Sequence, residues 1–154
     1  MASKAGPAIG SSQAGQVTVQ RGTYDGAITD WEDAAIQIRM VKLPAQHVIL
    51  DLVLDSEIID TGAGGAFDIG IEDSIQDPAD TTDLTLFATA LAVHTAAIFG
   101  SQMSLAAMRL APQNYDRYIV LTMETVSATG LAVRVGLTLT SKPALGDQFD
   151  GNFA

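Results

Sequence analysis

The residues able to do chemistry are few and scattered. The 154-residue chain has two histidines, His47 and His94, and no cysteine. Thiolate nucleophiles, disulfides and sulfur-ligated zinc are therefore excluded. No Gly-x-Ser-x-Gly elbow accompanies either imidazole, so no motif assembles a nucleophile, a base and an orienting group. His47 opens one apolar run and His94 closes another, and both read as histidines at the edge of a core.

Oxygen ligands are plentiful. Asp25, Asp30, Glu32 and Asp33 cluster early, and Asp68, Glu72, Asp73, Asp77, Asp80 and Asp83 cluster later. Neither cluster has the alternating ligands, glycine and distal Glu of an EF-hand. Solvated loop carboxylates are the plainer reading, with a structural Ca²⁺ as the alternative. A glycoside hydrolase needs two carboxylates set across a cleft. Asp51 and Asp55, four apart on one expected strand, read instead as the outward face of a sheet. The run Gly62-Ala63-Gly64-Gly65 contains no Lys and leads into an alternating segment, not a helix, so it is a turn and not a phosphate cradle. These readings point to a chain that is not an enzyme and takes no cofactor.

Aromatic residues are the remaining candidates. Trp31, the single Trp, sits among Asp30, Glu32 and Asp33 and close to Tyr24. It is either a core residue or, with Tyr24, an anchor at a subunit contact. Phe149 and Phe153 punctuate an otherwise small and polar C-terminal tail, and these four aromatics are the candidate partner-binding residues.

The elements that must position them are mostly strands. Alternation with period two runs through Val17 and Val19, through Ile36, Ile38 and Met40, and through Phe67, Ile69 and Ile71. His47 to Asp55 places Val48, Leu50, Leu52 and Leu54 on one face. Tyr118 to Met123 is apolar on both faces, and Leu131 to Thr140 aims five aliphatic residues one way. Ser127-Ala128-Thr129-Gly130 suggests that the last two strands form a closing antiparallel hairpin. Asp83 to Val93, rich in Ala and Leu behind an acidic residue, predicts a short helix. Ser104 to Arg109 is a turn of helix or a short strand. The fold class is all-β and mainly antiparallel: a β-sandwich or jelly-roll-like barrel with one short helix. Residues 1–15 and 141–154 read as extended arms around a single domain, 16–140.

Composition sets the outer limits. Apolar residues form 47% and charged residues 17% of the chain, with 18 acids against 8 Lys and Arg and a formal charge of −10. The middle of such a chain folds. Its surface is repelled by phosphate backbones and anionic membranes, so neither nucleic acid nor membrane is an expected partner. The opening Met-Ala-Ser-Lys-Ala-Gly-Pro lacks a secretory h-region, and Leu84 to Phe99 is too short for a bilayer. Synthesis in a bacterial cytoplasm is the expectation.

The order Leu43-Pro44-Ala45, a long strand, Asp60-Thr61-Gly62, then Phe67-Asp68-Ile69-Gly70-Ile71-Glu72-Asp73, followed by the closing strand pair, resembles the small decoration (cement) proteins of tailed-bacteriophage capsids. The resemblance spans roughly residues 22–141. It implies a β-sandwich that binds the outer face of the expanded shell and stabilises it. The implied partners are the major capsid protein and other copies of the chain, with a trimer preferred over a dimer, and the implied location is the virion exterior. A head-fibre, neck or tail subunit, or a carbohydrate- or Ca²⁺-binding module, are the alternatives.

Overall fold

The computed structural model describes residues 16–34, 36–62, 64–73, 82–93, 97–126 and 129–144. Among them are eight strands: β1 (Thr18–Asp25), β2 (Gln37–Leu43), β3 (His47–Ser56), β4 (Ala66–Asp73), β5 (Asp83–Ala92), β6 (Ile98–Ser101), β7 (Arg117–Thr125) and β8 (Arg134–Pro143). A 3₁₀ turn (Ile28–Asp30) follows β1, and one short helix, α1 (Leu105–Met108), precedes β7.

The strands form two four-stranded antiparallel sheets, ordered β1-β8-β3-β6 and β2-β7-β4-β5. The hydrogen-bonded pairs are nested: first with last, second with seventh, third with sixth, fourth with fifth. This is the pattern of a long ribbon rolled over on itself, the jelly roll. Between the sheets lie Leu52, Leu54, Ile69, Ile71, Ile119, Leu121, Val135, Leu137 and Leu139, all fully buried. The sandwich has two ends. The connections β1–β2, β3–β4, β5–β6 and β7–β8 lie at one, which carries Trp31. At the other, β1 begins and β8 finishes, with Thr18 opposite Ser141 and His47 opposite Pro143.

Four expectations need correction. The segment Asp83 to Val93 holds strand β5, which ends at Ala92, and not a helix. Its Ala and Leu content favours helix only locally, and pairing along β4 overrides that preference. Asp83 caps nothing helical; its Oδ1 accepts from Thr85 N and Thr85 Oγ1, both at 3.0 Å. Second, β7 and β8 do not form a hairpin, because the connection between them crosses from one sheet to the other. Third, alternation in β3 breaks at a bulge between Ile49 and Asp51, so Ile49 is buried and Leu50 is 42% exposed. Fourth, the valines of the first strand face out: Val19 is 65% exposed, while Thr18, Gln20, Gly22 and Tyr24 take the half-buried positions.

Boundaries shift at the end of the chain. β8 begins at Arg134, leaving Leu131 exposed ahead of it, and continues to Pro143 inside the region expected as tail. Ala144 N then bonds Gln46 O at 2.7 Å. The segment around Ser104 is helical, with the Ser104 hydroxyl accepting from Ala107 N.

Candidate partner-binding surface

Trp31 belongs to the core. It is fully buried, its Nε1 donates to Leu131 O at 2.8 Å, and its ring meets Phe67 and Tyr24 edge-on at 5.6 and 6.0 Å. The loop is built around it, since a Cβ on Gly26 would sit 1.8 Å from the Trp31 ring. A ring so enclosed presents no surface to a partner. Its neighbour Asp30 points elsewhere: Asp30 Oδ2 accepts from Ala27 N at 2.7 Å and from the Tyr24 hydroxyl at 2.8 Å. That bond, ahead of burial, holds the Tyr24 phenol above its usual pKa. Tyr24 is half-buried and braced within its own subunit. Phe149 and Phe153 lie outside the described residues.

The Asp60-Thr61-Gly62 turn has a structural logic that its residue types alone did not disclose. Asp60 is buried, and its carboxylate accepts from Gly62 N (2.8 Å), Gly65 N (3.2 Å) and the Thr129 hydroxyl. It thereby ties the β3–β4 connection to the β7–β8 connection, where Asp60 also bridges Gly130. Backbone and hydroxyl donors meet this buried charge.

The first sheet presents its outer face as cross-strand rows. Arg21 of β1 reaches over β8 to Asp55 of β3, and Arg134 pairs with Asp25. Asp51 accepts from Ser101 Oγ and from Leu52 N. Asp51 and Asp55 thus hold cross-strand contacts on the outer face. Arg134 acts first by hydrogen bonding to hold the Asp25 carboxyl below its usual range.

Beyond Asp55, on the edge strand β6, Phe99 is 84% exposed. It borders a shallow groove of about 580 Å³ lined by Asp25, Asp55, Glu57, Ile98 and Arg134 among others. Exposed aromatics on an unpaired strand edge are a liability in an isolated chain and an asset at an interface. Sequence spacing does not mark Phe99, because Ile98-Phe99 is an apolar pair whose inward member alternation alone does not fix. Further exposed apolar groups are Val17 and Val19 before and within β1, Leu50 on the β3 bulge, and Leu105 and Met108 on α1.

At the opposite end, Arg117 is buried opposite Asp73 in the β4–β7 register and donates to Ala111 O at 3.1 Å. Burial lowers its pKa, with Asp73 opposing the effect. Among the described residues, no three His, Asp or Glu side chains come together to hold a metal. The later acidic cluster falls partly outside those residues, at Asp77 and Asp80. No described helix is long and apolar enough to cross a membrane.

No family model matches the sequence, and no curated protein matches it significantly. Solved structures do share the fold. A chain of the capsid of Ralstonia phage GP4 superposes with a TM-score of 0.70 at 24% identity, covering 85% of this chain and 86% of that one. A chain of the cyanophage Pam1 capsid asymmetric unit superposes with a TM-score of 0.57 at 17% identity, covering 84% and 86%. The chain therefore shares its β-sandwich fold with chains of these two phage capsids.

Proposed function

We propose that the chain is a non-enzymatic virion protein of a tailed bacteriophage, a decoration or cement protein that binds the outer surface of the capsid. The observation that carries this reading is the fold likeness to chains of two phage capsids, which spans most of both chains in each pair. Mutual coverage of that extent means that the likeness runs through most of each chain and is not confined to a shared fragment.

The surface supports the same reading. Charged groups on the outer face of the first sheet neutralise one another in pairs, while Phe99, Val19, Leu50, Leu105 and Met108 stay uncovered in the isolated subunit. A net charge of −10 suits the outside of a shell better than the DNA-filled inside. A protein that binds only the expanded shell stabilises it by mass action. Repeated contacts on a lattice gain further from effective concentration. The subunit acts as a homo-oligomer, a trimer in preference to a dimer, beside the major capsid protein.

Copy number tests the assignment. Densitometry of purified particles should give hundreds of copies, and the purified protein should bind expanded shells that lack it. A dozen copies or fewer would move the chain to the neck or tail.

A further inference from the structure

The lining of the groove beside β6 suits an occupant with one apolar group and one positive charge. Phe99 supplies the apolar wall. Of the charges around it, Asp25 is paired with Arg134 and Asp55 with Arg21. Glu57, exposed at the rim, makes no ion pair among the described residues. One carboxylate is therefore left over, on an edge whose backbone pairs only with β3 among those residues.

Two segments of the chain lie outside the described residues at its termini, and their charges differ. Residues 145–154 carry Asp147 and Asp150 and no Lys or Arg, so the groove repels them. Residues 1–15 carry Lys4 and no acid, with Ile9 as their only branched apolar side chain. The second segment matches the groove in both respects.

Position indicates which copy provides it. β1 runs from Thr18 toward the groove end, finishing at Asp25, which lines the groove. The residues before Thr18 therefore join the sandwich at the far end, and within one subunit the segment would have to double back along its own sheet. Fifteen residues reach roughly 50 Å when extended, ample to cross to a neighbour.

We propose that residues 1–15 of a second copy of this chain occupy the groove beside β6, with Ile9 against Phe99 and Lys4 at Glu57. The contact is heterologous, one patch giving and a different patch receiving, and such contacts close into rings when the rotation allows. Strand addition along β6 also covers its open edge. The proposal builds on the homo-oligomer part of the preceding reading and is independent of capsid binding.

The absence of native cysteine makes the test clean. Ile9→Cys and Phe99→Cys full-length proteins are mixed in equal amounts and treated with a mild oxidant. The expected product is a disulfide-linked heterodimer on a non-reducing gel, absent when Phe99→Cys is replaced by Glu124→Cys on the other sheet. Glu57→Lys should weaken self-association by about tenfold in sedimentation, and adding Lys4→Glu should restore it. A mixture that gives no heterodimer overturns the proposal. So does a double-cysteine chain that closes only on itself, which places the segment in its own groove. Both readouts use the purified protein alone, so they fail separately from copy number on the particle.

Discussion

Arg21 and Asp55 pair across strand β8 directly above Gly136, the one residue type that leaves room for them. A Cβ at Gly136 would lie 2.4 Å from Arg21 Nη2 and 2.5 Å from Asp55 Oδ1. Both pairing groups are substantially exposed, so the ion pair contributes little by itself. Its interest is in the coupling. Gly136→Val should displace the pair at a small cost in the wild-type chain yet be neutral or stabilising in an Arg21→Ala, Asp55→Ala background, where strand propensity is left to act alone. Urea unfolding of the four proteins checks this, and equal costs in both backgrounds would contradict it.

Trp31 is the largest fully buried side chain, and truncating it should be among the costliest single changes. Trp31→Ala is expected to cost about 3–5 kcal/mol. Trp31→Phe should cost less, reflecting the missing bond to Leu131 O and some lost packing. Being the single Trp, it reports on itself: fluorescence should be blue-shifted in the native state and move to the red on unfolding. A red-shifted native spectrum would contradict the enclosed ring.

Asp60 predicts a different signature. Its carboxylate gathers three donors from two connections. Asp60→Ala leaves those buried donors unmet and should cost about 3 kcal/mol, whereas Asp60→Asn, which keeps one acceptor oxygen, should cost less. Thermal unfolding compares the two, and equal small losses would remove Asp60 from its proposed role as a tie.

Acid should weaken the fold at one exposed ion pair. Lys42 hydrogen-bonds Asp116 Oδ2 at 2.7 Å, and Ala45 N donates to its other oxygen at 2.9 Å. These two contacts, the lysine first, depress the Asp116 pKa in the folded chain. A carboxylate depressed on folding contributes stability above its unfolded pKa and loses it as pH falls through the folded one. Stability should therefore decline below about pH 4, and Asp116→Asn should flatten part of that decline. The pair is exposed, so the effect is small and shrinks in salt. An unchanged acid slope in Asp116→Asn would contradict the assignment.

The strands were legible because half-buried sheets write their two faces into the chain, as in Phe67, Ile69 and Ile71, all buried as expected. What stayed hidden depends on long-range contacts. The bulge between Ile49 and Asp51 reverses the phase of β3 with no local mark in the sequence. β5 has helix-favouring residues and becomes a strand because β4 offers an edge. The β7–β8 connection carries hairpin residues and crosses between sheets. Trp31 stood beside Asp30, whose carboxylate bonds Tyr24 and the Ala27 backbone, while the indole itself faces inward. Phe99, the most exposed large apolar side chain among those described, is unmarked by spacing because only its partner strand decides which way it points.

The most direct measurement is a heat challenge of purified particles with and without this protein, followed by DNA release. Hundreds of copies should be present, particles lacking the protein should release DNA at lower temperature, and adding the purified chain back should restore the difference. Particles that release DNA at the same temperature either way, or that contain no copies of the chain, would contradict a decoration role.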